Sequence, residues 1–223
     1  MGEVATIQKT DVRRIESKET YDFILTKHYA QRKPSISFAY GLYINDTLQG
    51  VATIGKPASN ALCEGVCGVE YKQYVYELNR LITNDGLPPN TLSKFISTVL
   101  NDLKSEKIII VSYADEGVGH HGYIYQATNW IYTGKTKGRT DKYVPNGKHS
   151  RHYTEEWNHL RKFRTEKHRY LYIPNKRFKK ECLKILKYPI VEQYPKGDNS
   201  PYVLGERAKQ KILNTTTNEV FYE

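Results

Sequence analysis

Apolar positions along the chain follow two rhythms. From Thr20 to Ala30, the residues Tyr21, Phe23, Ile24, Leu25 and Tyr29 fall on a helical spacing, and Pro34 bars continuation past Gln31. Ser37 to Ile44 and Leu48 to Ile54 are β-like runs joined at Asn45-Asp46-Thr47, which predicts a hairpin. Tyr74 to Ile82 reads as a further strand, and Asn84 to Asn90 as a loop. Thr91 to Lys104 places Leu92, Phe95, Ile96, Val99, Leu100 and Leu103 on one helical face. Lys107 to Tyr113 contains an unbroken Ile-Ile-Ile-Val run, the pattern of a buried strand. Gly119 to Trp130 predicts a helix, followed by a strand around Ile131 to Gly134. Arg139 to Thr165 is polar and basic, which predicts a long loop or mobile arm. Arg169 to Ile173 is one more strand, and Lys176 to Lys187 a short basic helix. Beyond Pro189 periodicity fades, so Asn199 to Glu223 is expected to be a loosely packed tail. The order helix, hairpin, strand, helix, strand, helix, strand implies an α/β fold built on a mixed sheet flanked by helices. The expected division is a catalytic-type domain over 1–175, including a basic arm at about 139–165. A C-terminal basic extension of helix and tail would follow over 176–223.

Composition narrows the partners. No run of eighteen apolar residues occurs, so no membrane partner is expected. Met1 to Lys9 lacks a basic region followed by an apolar stretch, so no signal peptide is expected and the reading is cytoplasmic. Cys63, Cys67 and Cys182 are too few for a disulfide framework. The C-x3-C pair could be half a zinc site, but no second pair of matching spacing completes it, so two thiols in an ordinary turn is the expectation. The net charge of +10 points to a polyanion, usually nucleic acid. Lys and Arg far outnumber Asp and Glu between Arg139 and Lys187, whereas the first half is nearly balanced. The 19 tyrosines among these cations suit a surface that holds bases, although Tyr is also an ordinary strand former.

Four segments carry a resemblance. They are His28-Tyr29-Ala30-Gln31-Arg32-Lys33-Pro34-Ser35, then Tyr76-Glu77-Leu78-Asn79-Arg80-Leu81. The third is Ser112-Tyr113-Ala114-Asp115, continuing through Gly119-His120-His121-Gly122-Tyr123-Ile124-Tyr125-Gln126-Ala127-Thr128-Asn129-Trp130. The last is Lys167-His168-Arg169-Tyr170. Together they resemble the Mom family of phage DNA adenine-modification proteins, from about Thr20 to about Ile173. The resemblance implies an acetyltransferase-like (GNAT-like) fold, whose element order matches the one above. It also implies a transferase that converts adenine in double-stranded DNA to an N6-(carbamoylmethyl)-type base, shielding phage DNA from host restriction. It places catalytic weight on His28, Tyr29, Asp115 and Tyr125, and adds Arg80 to the functional set as a cofactor-binding residue. Iron is the metal the family suggests, and those four catalytic positions would be its N/O ligands.

Each position also has an ordinary structural reading. Asp115 follows a buried strand, where α/β sites open, and a carboxylate there can accept from an exocyclic amine. It would equally cap the next helix. Tyr125 could stack on a base, or be a core aromatic like Trp130. His28 could be a base, a ligand or a structural histidine. His120-His121 between Gly119 and Gly122 fits either a backbone approaching a ligand or a tight turn. Asn84 to Ser93 is the expected donor-phosphate loop, with Gly86 allowing close approach and Asn90, Thr91 and Ser93 at the helix N-terminus. It departs from the acetyltransferase pyrophosphate signature, and Pro88 and Pro89 withhold two amides. The donor is therefore left between acetyl-CoA and an aminoacyl-tRNA, which would make tRNA a second partner. His149, His152 and His159 dot the arm without metal-site spacing. Arg32, Lys33, Arg139, Lys142, Lys148, Arg151, Arg161, Lys162, Arg164, Lys167 and Arg169 are the expected phosphate contacts. A flipped adenine would be received by Tyr40, Tyr113 and Tyr125. A homodimer on DNA would fit. The rival functions are an acyltransferase acting on a protein or small amine, and a non-catalytic nucleic-acid-binding module.

Overall fold

The structure is a computed structural model that describes residues 9–145, 152–197, 203–206 and 209–223. Its centre is a seven-stranded mixed sheet. The strands are β1 (Thr10–Arg14), β2 (Phe38–Ile44), β3 (Thr47–Gly55), β4 (Val75–Thr83), β5 (Ile109–Asp115), β6 (Ile131–Lys135) and β9 (Lys167–Tyr172), in the order β1-β2-β3-β4-β5-β9-β6. All neighbours are antiparallel except β4 and β5, which run parallel.

The hairpin between β2 and β3 turns where the sequence places it. Asn45 and Asp46 both adopt positive φ, 48° and 59°, the conformation that a two-residue I′ turn requires and that Asn, Asp and Gly tolerate best. Asp46→Gly is therefore expected to stabilise the fold by about 0.5–1 kcal/mol, since glycine relieves the left-handed strain. Urea unfolding of the two proteins checks the sign.

Both faces of the sheet are covered, and strand β5 shows why its sequence is uniformly apolar. Ile108 and Ile110 face α2 (Thr91–Asp102), in a core with Phe95, Ile96, Val99, Leu100, Tyr40, Leu42, Leu78, Trp130 and Tyr170. Ile109 and Val111 face the other way, against α1 (Asn60–Cys67) and α4 (Lys176–Ile185), with Val66, Phe178 and Cys182. A strand buried on both sides loses the alternation that one-sided strands show.

Several expectations are corrected. The segment Arg139–Thr165 is not a loop: it contributes β7 (Arg139–Lys142) and β8 (Leu160–Arg164), which pair antiparallel. The described end of the tail is not loosely packed either, because β10 (Lys211–Asn214) pairs with β8, and β11 (Val220–Tyr222) pairs with β10. These four strands form a second sheet, ordered β11-β10-β8-β7, around a small cluster of Tyr143, Leu160 and Ile212. That sheet draws strands from both sides of residue 175, so strand pairing does not follow the expected division of the chain there. The first helix is a 3-10 turn (Ser17–Thr20) followed by a π-helical turn (Phe23–Lys27). The helix expected over Gly119–Trp130 shrinks to α3 (Tyr123–Ala127), because Gly119 and Gly122 take φ of 70° and 80° and break the turn before it. Cys63 and Cys67 sit on α1 rather than in a turn. Both are buried free thiols, with the Cys67 thiol 3.8 Å from the Cys182 carbonyl. No helix among the described residues is long and apolar enough to cross a membrane.

Candidate functional site

The site begins where the central sheet splits. Strands β4 and β5 pair only through Val75–Glu77 against Ile109–Val111. Beyond that point β4 continues along β3 to Thr83, while β5 continues along β9 to Asp115. The gap between the diverging strands is a groove of about 670 Å3. One wall is Leu81–Thr83 with the loop down to Ser93. The other is Tyr113, Ala114, His120 and the first turn of α3.

At the fork the broken ladder is bridged by a side chain. The Ser112 hydroxyl donates to the Leu78 carbonyl (2.9 Å) and shares a 2.8 Å hydrogen bond with the Tyr125 hydroxyl. Tyr125 is thereby fixed at the base of the groove, its ring 5.0 Å from both Trp130 and Tyr170. Burial pushes its phenol up to about 12. Tyr125 is thus a core aromatic that also lines the groove.

Strand β4 carries the second device. Thr53 pairs with Arg80 and Ile54 with Leu78, so Asn79 is an extra residue, a bulge. Its side chain is used for anchoring: the amide donates to the Ser35 carbonyl and the amide oxygen accepts from Thr53. A bulge reverses alternation, which places Glu77 and Arg80 in electrostatic reach of each other. Burial raises the Glu77 carboxyl, and the nearby Arg80 and Lys167 only partly offset it. Sequence reasoning missed Glu77 because a strand carboxylate reads as solvent-facing, and only the pairing register reveals the bulge.

Arg80 holds the segment after the first helix. It donates to the Arg32 carbonyl (2.7 Å) and to its own neighbour Asn79, while its Nε is buried without a hydrogen-bond partner. Arg80 therefore has a structural task. The loop it clamps carries His28 and Tyr29, whose rings stack at 4.2 Å. His28 is buried, and its Nδ1 accepts the Ala30 amide (3.0 Å), which leaves Nε2 as the protonated nitrogen of the neutral ring. Burial, with Arg80 and His120 adding repulsion, lowers its pKa to about 3. Tyr29 meets His120 edge-on at 6.4 Å, and His120 in turn senses Asp115. His28, Tyr29, Arg80, His120 and Asp115 thus form one contiguous polar cluster beside the fork.

Asp115 is engaged through both oxygens. One oxygen accepts from the Gly117 amide (2.9 Å) and Thr165 (2.5 Å), and the other pairs with Lys167 (2.6 Å). Burial would raise its pKa, but Lys167 and these hydrogen bonds outweigh that and hold it below the usual carboxylate range. The helix-cap role occurs, on the 3-10 turn Glu116–Val118. The iron set from the resemblance fits poorly. Both Asp115 oxygens are already engaged, one by Gly117 and Thr165 and the other by Lys167, the Tyr125 hydroxyl is bonded to Ser112, and no group of three His, Cys, Asp or Glu with converging ligand atoms among the described residues contains His28 or Asp115.

At the donor loop, Asn90 occupies the position before α2 in a left-handed conformation (φ 64°) without a side-chain cap. Thr91 and Ser93 turn their hydroxyls to the Pro88 and Asn90 carbonyls. All three line the groove. Among the expected phosphate contacts, Arg32 and Lys33 are exposed beside the clamped loop, Lys33 lying over the Tyr21 ring. Arg139 and Arg164 flank Asp141, and Lys142 lies over Tyr153. Two turn out otherwise. Lys167 is the partner of Asp115, and Arg169 binds Thr133 twice and lies 3.3 Å from the Tyr188 ring centre, so both serve internal contacts. Lys148, His149 and Arg151 lie outside the described residues.

The model of the Mom protein family matches residues 9–196. The methylcarbamoylase mom of Escherichia phage Mu is 32% identical over 116 residues, which is 50% of this chain and 48% of that protein. The aligned segment therefore spans about half the length of that relative. Among solved structures, an N-acetyltransferase from Staphylococcus aureus is similar over 75% of this chain and 99% of that one (13% identity, TM-score 0.47). An IAA acetyltransferase from Bacillus cereus is similar over 74% and 99% (12% identity, TM-score 0.45).

Proposed function

The chain belongs to the Mom protein family, and from that premise we propose that it transfers a small group to the N6 amine of adenine in double-stranded DNA. The observation that carries this reading is the fork: an open groove between β4 and β5, a raised carboxylate at the last β4 residue paired with β5, and a histidine-tyrosine cluster near by.

The chemistry sets the requirements. The N6 lone pair is delocalised into the ring, so the amine must surrender a proton as its new bond to carbon forms. Several groups in the cluster are unsuited to take it. His28, near pKa 3, is a weak base, and Asp115 is held by Lys167. Glu77 is the carboxylate moved toward neutrality, where a general base works best. His28 offers its Nε2–H as a donor, and Tyr29 with His120 supplies ring faces for a base turned out of the stack. The opposite end of the groove suits the donor. Its size matches small-molecule sites, and acetyl-CoA or an aminoacyl-tRNA terminus would lie along Asn84–Ser93, facing Tyr113 and the first turn of α3. That donor would supply the activated carbon. The chain's residues orient it and keep water from the fork.

DNA would be held through the second sheet. Across β7 and β8, Arg139 stands opposite Arg164 and Lys142 opposite Arg161. Like charges facing each other across a ladder are destabilising unless an anion lies between. Asp141 serves the first pair, and backbone phosphates would serve both. The product would be an N6-(carbamoylmethyl)-type adenine, which removes one N6–H donor from the major groove and so blocks restriction enzymes that read it. The test is mass spectrometry of nucleosides from plasmid DNA in cells expressing the protein. A heavier deoxyadenosine is expected, and its mass identifies the group. Only the four standard nucleosides, with well-folded protein present, would overturn the proposal.

A further inference from the structure

A second cluster of ligating side chains starts at the residue after Asp115. Glu116, His121 and His168 bring their ligand atoms within 4.8 Å of one another. They come from three separate places: the 3-10 turn after β5, the turn before α3, and strand β9. From this convergence we propose that Glu116, His121 and His168 form a binding site for a divalent transition metal, zinc by ligand chemistry.

The central observation concerns His168. Its side chain is 98% buried, a poor place for an imidazole nitrogen without a partner. Its Nδ1 is bonded to the Tyr132 hydroxyl at 2.8 Å. Its Nε2 faces Glu116 Oε1 at 2.8 Å, close enough for the two groups to act on each other electrostatically but at an angle poor for a hydrogen bond. A buried ring nitrogen held this close to a carboxylate at an angle poor for a hydrogen bond is the arrangement of two groups that can share a cation. Opening the contact by about half an ångström gives the spacing of two ligands, each about 2.0–2.1 Å from one ion.

The surroundings are those of a ligand shell. Tyr132 fixes the His168 ring from its far nitrogen, as the outer partner of a metal-bound histidine does. His121 is held by its backbone, its carbonyl accepting from Tyr170 (2.6 Å) and Gln126 (3.2 Å). Its ring is backed by Gly197, where a Cβ would come within 2.5 Å of Nε2. His121 also borders a hollow of about 200 Å3, a route for an ion from solvent. Two imidazoles and one carboxylate are the set that zinc takes with an open position. Lys135 opposes the ion. Its ammonium lies 2.5 Å from Glu116 Oε1 and 3.7 Å from Glu166, so metal binding requires it to move toward Glu166. The site stands independently of what the fork transfers.

Titration of the metal-freed full chain with Co(II), followed by zinc competition, tests this. One equivalent is expected to give visible d–d absorption that zinc abolishes. His121→Ala and Glu116→Gln, both at partly exposed positions and checked for folding by circular dichroism, should lose the one-equivalent signal. Tyr132→Phe should weaken binding by about 10–100-fold. Lys135→Ala should tighten it, an outcome that a purely structural cluster would not give. Absence of stoichiometric binding would overturn the proposal, and so would binding unchanged in folded His121→Ala and Glu116→Gln. Because the readout is metal rather than modified DNA, failure here leaves the adenine reading standing, and the converse also holds.

Discussion

Glu77→Gln is expected to lower the rate of adenine modification by about 10²–10⁴-fold, the usual worth of a positioned general base, while leaving the fold and DNA affinity intact. The substitution keeps the shape of the side chain and removes only its capacity to take a proton. Its position makes the effect specific. Glu77 is the last residue of β4 paired with β5, and its charge is felt at Tyr113 and Tyr125, which face the groove. The measurement is the time course of modified deoxyadenosine on a defined duplex under single-turnover conditions, with DNA affinity measured in parallel. The wild-type rate should fall on the acid side as Glu77 becomes protonated, in a pH range above that of an ordinary glutamate, because burial raises its pKa. A Glu77→Gln protein that retains a third of the wild-type rate would remove Glu77 from the proton-accepting role and pass that role to His120.

The elements legible in the sequence are those whose pattern is local. The β2–β3 hairpin announces itself by Asn45-Asp46 between alternating runs, α2 by its apolar face, and β5 by its unbroken apolar stretch. The second sheet was not legible, because β7 and β8 carry mostly cations and their small core is completed by Ile212 from a distant strand. Helix α1 escaped because Asn60–Cys67 is short and bears few large apolar residues. The site divides in the same way. His28, Tyr29, Arg80, Asp115 and Tyr125 were named through motif resemblance, and the structure sets the first four in one cluster and Tyr125 at the fork. Their ordinary readings are visible in the fold, since Asp115 caps a turn and Tyr125 packs in the core. What no pattern could disclose is the effect of register and long-range contact. A one-residue bulge at Asn79 brings Glu77 and Arg80 together, and His168 meets Glu116 only because β9 inserts between β5 and β6.

Acidification to pH 4.5 is expected to cost the protein about 3 kcal/mol through His28 alone, and His28→Asn is expected to remove that loss. In the unfolded chain the imidazole titrates near 6.5, whereas in the fold it is lowered to about 3 by burial and by the charge of Arg80. Between these values the unfolded state binds a proton that the folded state refuses. Stability is therefore complete above pH 6.5 and declines as pH falls toward 3. Asn is the informative replacement, because its side-chain oxygen can still accept the Ala30 amide that His28 Nδ1 accepts, so the loop keeps its hydrogen bond. Other groups titrate in the same window. Asp115, held low by Lys167, loses stability only at more acid pH, while Glu77, raised by burial, gains as it protonates. Their contributions cancel when the two proteins are compared, so urea unfolding of both at pH 7 and pH 4.5 isolates the histidine. Equal losses in the two proteins would mean that His28 accepts a proton within the fold. The neutral ring with an Nε2–H donor, on which its role toward the base depends, would then be lost.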